Sequence, residues 1–173
     1  MKKILAFGAS SSKKSINKQL ATYAVNLFEN STHEILDLND YEMPIYSMDK
    51  EKENGIPQLA HDFYDKIGNA DFILISFAEH NGAYSTAFKN IFDWMSRING
   101  KTFQEKPMLL LATSPGARGG SSVLEIANKR FPFQGGIVKG SFSLPSFNDN
   151  FNPEKGITDP ELKKQLLDII NSI

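Results

Sequence analysis

The sequence contains no cysteine. Disulfides, thiolate metal sites and cysteine nucleophiles are therefore excluded, and no metal site is expected. Charge of neither sign is in surplus: 19 basic and 20 acidic residues leave a net charge of −1. That balance gives no electrostatic reason to expect nucleic acid or an anionic membrane as a partner. A small anionic ligand is still open, because one loop can bind it without basic bulk charge. No apolar run approaches the roughly 20 residues that cross a bilayer. The opening Met1-Lys2-Lys3, followed by Ile4-Leu5-Ala6-Phe7, superficially suggests a signal peptide. Its apolar stretch is too short, and Ser10 to Lys14 interrupts it. The expected setting is the cytoplasm, without membrane insertion.

What is present is an ordinary globular composition, 40% apolar and 23% charged over 173 residues. One domain over residues 1–173 is expected, long enough to bury a core without staples. Strand-length apolar runs recur at Ile4–Phe7, Glu34–Leu38, Phe72–Phe77, Met108–Ala112 and Ile137–Phe142. Two of them, "FILISF" and "MLLLA", are nearly continuous, as strands covered on both faces of a parallel sheet are. Helix-period segments separate them: Ile16–Phe28, Gln58–Gly68, Thr86–Ile98, Ser122–Arg130 and Glu161–Ile170. The alternation predicts a doubly wound α/β sheet. Met43–Pro57 and Pro145–Pro160 read as long loops.

The segment Tyr84–Ile98 places eight apolar side chains, Trp94 among them, in an arc of roughly 160°. Such an arc fits a deeply packed core helix, or one that also meets a second subunit.

Parallel strands send the loops after the first, third and fourth of them to one edge of the sheet, where open α/β sheets bind ligands. The first loop is "GASSSKKSIN" at 8–17. Gly8 permits a close approach, and Ser15 is placed to cap the helix that Ile16 begins. Free N–H groups at that helix start, with hydroxyls from Ser10, Ser12 and Ser15 and the amide of Asn17, make an anion seat. Lys13 and Lys14 add charge. The loop has neither P-loop nor dinucleotide-fold spacing, so a mononucleotide phosphate fits better. A plain hydroxyl-rich turn is the alternative.

The second loop, "FAEHNGAYS", follows the third strand. Asn81-Gly82 signals a turn that points N–H groups into a cleft. His80 offers a flat, titratable ring, and Glu79 reads equally well as a solvated carboxylate. The third loop, "TSPGARGGSS", turns at Pro115-Gly116. Gly119-Gly120 would admit a planar group near the backbone, and Ser121 or Ser122 would cap the next helix. Arg118 suits a substrate phosphate or carboxylate, or simply solvent.

Together, "GASSSKKSIN" at 8–17, "AEHNGAYSTAFKNIFDW" at 78–94 and "SPGARGG" at 114–120 resemble the NADPH-dependent FMN reductase family. That family includes quinone and azo-dye reductases. The resemblance implies a flavodoxin-like, three-layer αβα fold with five parallel strands in order 2-1-3-4-5. It implies FMN with its phosphate on Ser10, Ser12, Ser15, Ile16 and Asn17. Glu79, His80, Asn81 and Gly82 would edge the flavin ring, and Ser114, Gly116 and Gly119 would frame its other side. NADPH or NADH would pass hydride to flavin N5, then a quinone, flavin or azo compound would take the electrons in ping-pong turnover. Arg118 would contact the dinucleotide. The family is typically a homodimer or homotetramer. Many members have Arg where Ser12 stands, and Pro-Glu-Tyr-Asn where this chain has Ala78-Glu79-His80-Asn81. The alternatives are a flavodoxin-type electron carrier, a nucleoside-processing hydrolase and a flavin-sensing regulator.

Overall fold

The computed structural model describes all 173 residues. Lys2–Ala9 (β1) leads into Ile16–Val25 (α1), then Ser31–Leu36 (β2), Met48–Asn54 (α2) and Gln58–Asn69 (α3). Phe72–Phe77 (β3) is followed by a small hairpin, Glu79–His80 (β4) and Ala83–Tyr84 (β5), and by Thr86–Ile98 (α4). Lys106–Thr113 (β6), Ser121–Arg130 (α5) and Gly136–Leu144 (β7) complete the main pattern. The tail holds a helical turn, Phe147–Asn150 (α6), a second hairpin of Phe151–Asn152 (β8) and Gly156–Ile157 (β9), and Pro160–Asn171 (α7).

Five strands form one parallel sheet in the order β2-β1-β3-β6-β7. Counted without the hairpins, this is the expected order 2-1-3-4-5 of a flavodoxin-like fold. Side chains alternate across the pleat, which divides the core in two. Leu5, Phe7, Ile73, Ile75 and Leu110 point to the layer of α3, α4 and α5. Ile4, Ala6, Leu74, Leu109 and Leu111 point to α1 and α7. Both faces of β1, β3 and β6 are thus covered, and their sequences are continuously apolar for that reason.

Three expectations are corrected, for β2, for Met43–Pro57 and for Pro145–Pro160, which is not all loop because it holds α6, β8 and β9. β2 begins at Ser31 rather than Glu34, and Leu38 lies in a 3-10 turn, Leu38–Tyr41, capped by Asp37. It is an edge strand, half solvated, so backbone pairing with β1 extends beyond its short apolar run. Met43–Pro57 is not all loop, since "MDKEKEN" forms α2 behind a Ser47 cap that accepts from the Lys50 N–H. That helix buries nothing, so it leaves no apolar period to read. Of the two readings of the broad apolar arc of α4, the packing within this chain fits the deeply packed core helix. Trp94 is 1% exposed within its own chain. Its indole Nε1–H donates to the Pro44 carbonyl at 2.7 Å, and Tyr46 packs edge-on against it at 4.9 Å.

Lys18 on α1 donates to the Asp37 carboxylate at 2.5 Å, fastening α1 to the end of β2. The Lys18 ammonium, with the Asn39 N–H, holds the Asp37 carboxyl down at about 2. The unfolded chain protonates this carboxyl first as acid is added, so its stabilisation, full above the usual carboxylate range, is lost as pH falls from about 4 through about 2. Acid denaturation of the Asp37→Asn protein should therefore show a flatter stability profile between pH 4 and pH 2. An acid limb identical to that of the unaltered protein would contradict the assignment.

Candidate functional site

Three loops leave the carboxyl ends of β1, β3 and β6 and meet over them. At the first, Gly8 lets α1 descend onto the strand. A Cβ there would stand 2.3 Å from the Lys18 nitrogen and 2.8 Å from the Asn17 carbonyl carbon, both backbone atoms. Only glycine leaves the helix start in this position.

The Asn17 amide then locks it. Its Oδ1 accepts from the Ser76 hydroxyl at 2.7 Å and from the Thr113 N–H at 3.1 Å. Its Nδ2 donates to the Thr113 carbonyl at 3.1 Å. Asn17, Ser76 and Thr113 are each at most 2% exposed. One side chain so joins α1 to the ends of β3 and β6. The amide expected to meet a ligand is largely committed to the protein, and what Asn17 chiefly offers the cleft is its backbone N–H.

In the loop before it, the N–H of Ser10 donates to Gly8 O, that of Ser12 to Ser10 Oγ, and that of Ser15 to Ser12 O. The Ser15 hydroxyl oxygen caps α1 by accepting from the Lys18 N–H. The N–H groups of Ser11, Lys13, Lys14, Ile16 and Asn17 donate to no protein acceptor. The loop carries hydroxyls and lysines and no carboxylate. Unpaired amide hydrogens at the positive end of a helix favour an anion.

The second loop is a tight hairpin. Asn81 and Gly82 both have positive φ, 51° and 77°, between the paired Glu79 and Tyr84 and the paired His80 and Ala83. That is the two-residue turn an Asn-Gly pair favours. Glu79 is not a solvated carboxylate: its Oε2 accepts from the Val123 N–H at 3.0 Å. It thereby caps α5, whose N-cap is Gly120 with no side-chain bond. Neither Ser121 nor Ser122 caps that helix. His80 stands exposed at the mouth. Behind the hairpin Tyr84 packs on Phe77 and Phe88, and burial pushes its phenol far up.

The third loop is braced by the tail. The N–H groups of Ser146 and Phe147 donate to Gly116 O and Ser114 O. Gly119 is needed for a close approach within the chain. Its φ is +56°, and a Cβ there would lie 2.5 Å from Ser143 Oγ and 2.8 Å from the Leu144 carbonyl. The close approach is to the end of β7. At Gly116 a Cβ would meet only Ser114 Oγ, at 3.8 Å. Arg118 is exposed and turns back along α5, donating to Ser122 Oγ at 2.8 Å. Phe151 of the tail packs edge-on against Tyr23 of its own α1 at 5.7 Å.

Between the loops lies an open cleft of about 230 Å³. Ser10, Ser12, Ser15, Ile16, Asn17, Glu79, His80 and Ser114 all line it. Asn81, Gly82, Gly116, Gly119 and Arg118 stand outside its lining. Lys14, Ala78, Thr113 and Pro115 complete the walls. The sequence reading missed Ser76 and Thr113, which hold Asn17, and Ser85, whose hydroxyl donates to Ala9 O at 2.8 Å and accepts from the Phe88 N–H. Polar residues at the ends of otherwise apolar strands were the available signal for the first two.

Set beside known proteins, residues 2–149 match the family model described as NADPH-dependent FMN reductase. A protein of Mycoplasma pneumoniae, itself uncharacterized, is 32% identical over 155 residues, 87% of this chain and 91% of that protein. The NADPH:quinone oxidoreductase of Arabidopsis thaliana is 28% identical over an aligned 178 residues, 99% of this chain and 89% of that one. The flavoenzyme NAD(P)H:(acceptor) oxidoreductase FerB of Paracoccus denitrificans shares the fold, with a TM-score of 0.79 at 23% identity over 99% of this chain and 94% of that one.

Removing the Asn17 amide strands Ser76 Oγ and both backbone groups of Thr113 in the interior. Asn17→Ala should lower unfolding free energy by about 3 kcal/mol or more in urea, since each of the three orphaned buried groups costs about 1–3. Ser12→Ala on the exposed rim should change it by less than about 0.5 kcal/mol. Equal midpoints for the two variants would overturn the stitching role of Asn17.

Proposed function

We propose that this chain, which belongs to the NADPH-dependent FMN reductase family, holds FMN in the three-loop cleft and oxidises a reduced nicotinamide dinucleotide. The electrons go to a quinone, a flavin or an azo compound. The observation that carries the reading is the set of five unpaired N–H groups in the first turn of α1 and the carboxylate-free loop before it.

Those groups fit a phosphate dianion. It needs several donors in a small arc and no acidic neighbour, and charge-assisted bonds to backbone N–H are strong. The N–H groups of Ile16 and Asn17, with the free hydroxyl hydrogens of Ser10, Ser12 and Ser15, would take that phosphate. Lys14, on the same wall, supplies counter-charge. The hairpin around Asn81-Gly82 and the Ser114 loop would flank the ring. Both are rigid, one through its turn and the Glu79 cap, the other through the tail.

When bound, FMN would supply the two-electron redox chemistry between the reduced nicotinamide and the acceptor. The protein seats and orients the reactants. Donor and acceptor share one opening, so they bind in turn and turnover is ping-pong. No nucleophile–base pair is involved. Arg118 swings from Ser122 to meet an anionic group of the dinucleotide. Assembly as a homodimer or homotetramer is part of this reading and rests on the family resemblance. Ile45 and Met48, 66% and 75% exposed beside α4, offer an apolar surface for it.

The purified protein, supplied with FMN, should bind it one to one and turn yellow. Under anaerobic conditions NADPH alone should then bleach the flavin, and adding a quinone should restore the colour. A bound flavin that NAD(P)H leaves oxidised unless a separate reductase is added would favour a flavodoxin-type carrier instead. A protein that stays colourless would refute the FMN reading altogether.

A further inference from the structure

A second and larger cavity opens on the other side of the same loop. It measures about 530 Å³, runs between α1 and the β8–β9 hairpin, and shares Lys14 and Ser15 with the cleft. Lys13, Lys14, Lys18 and Lys155 line it, with Glu154 as its one acidic side chain. Lys18 is committed to Asp37, whereas Lys13, Lys14 and Lys155 take part in no ion pair of the chain. A protein of net charge −1 thus gathers three unpaired cations from two segments some 140 positions apart.

The hairpin is held to bring its lysine there. Asn152 Oδ1 accepts from the N–H groups of both Glu154 and Lys155, at 2.9 and 3.0 Å, fixing the turn. Gly156, at φ +74°, lets the hairpin close on α1, since a Cβ there would lie 1.9 Å from the Tyr23 ring. Tyr23 and Phe151 give the groove an aromatic wall beside the lysines. Flat apolar surface next to unpaired cations is what a phosphorylated nucleoside requires.

We propose that this groove seats the adenosine end of the dinucleotide and that Lys13 and Lys155 are the counter-charge of its 2′-phosphate, so that NADPH is preferred to NADH. This rests on the dinucleotide oxidation proposed above. Lys14 and Ser15 border both the cleft and the groove, so one extended ligand can span the two. NADPH differs from NADH by one phosphate on that ribose, and only the phosphate gains from surplus cations.

The test titrates the flavin-loaded protein with 2′,5′-ADP and with 5′-AMP, followed by calorimetry. The 2′,5′-ADP should bind at least about 5-fold tighter, and Lys155→Gln, at equal flavin content, should remove most of that difference. In steady-state assays Lys155→Gln should raise the ratio of KM for NADPH to KM for NADH about 3- to 5-fold. Equal binding of the two probes, or an unaltered KM ratio, would overturn the proposal. So would inorganic phosphate competing as well as 2′,5′-ADP, which would mark a simple anion seat. Should the protein take up no flavin, the redox reading fails, while the same titration on the protein as purified still decides the groove.

Discussion

The site depends on one buried amide. Asn17 fills its oxygen with two donors and gives a hydrogen back to Thr113, so the head of α1 is tied to β3 and β6 together. A buried polar group is tolerated only when its partners are all in place, which makes the register of helix against sheet specific rather than merely compact. Gly8 supplies the room, and Asn17 supplies the fastening. With the helix end fixed in this way, its unpaired N–H groups point where the sheet ends.

The surrounding loops are immobilised by the same economy of means. Ser85 ties the start of α4 to the carbonyl of Ala9, next to the first loop. Glu79 spans from the hairpin to the first turn of α5, where a carboxylate also meets the helix dipole favourably. The residues after β7 close over Ser114 and Gly116. The cleft is therefore walled by loops fixed through specific bonds, while the amides at the head of α1 are left without protein partners. That contrast is what an oriented anionic cofactor requires, because preorganised donors need no rearrangement when the ligand arrives.

Much of this was legible in the residues. Continuous apolar runs identified the central strands because both faces of the sheet are covered, and the Asn81-Gly82 turn follows from the positive φ those two residues tolerate. The serine cluster located the helix start and its cap at Ser15. What was illegible depends on partners distant in sequence. Nothing near Glu79 announces that it will cap a helix beginning at Ser121. Gly119 shows itself as a glycine, but only the end of β7, 24 residues on, explains it. Helix α2 escaped because a helix with no buried face has no period. The wide arc of α4 was visible, whereas its cover, the Pro44–Tyr46 segment, lies in a stretch that reads as loop.

The central claim is that backbone amides at the head of α1, held by Asn17, grip the cofactor's phosphate. Ile16→Pro tests it most directly. Ile16 is the first helical residue, where proline is well tolerated. Ser15 before it, at φ −58° and ψ 118°, already has the extended backbone that a following proline needs. The substitution deletes one amide hydrogen of the cradle and leaves the helix in place. The account predicts a folded protein, its cooperative thermal transition kept, whose affinity for FMN falls about 10-fold or more, as loss of a charge-assisted hydrogen bond requires. A folded Ile16→Pro protein that binds FMN as tightly as the parent would contradict it.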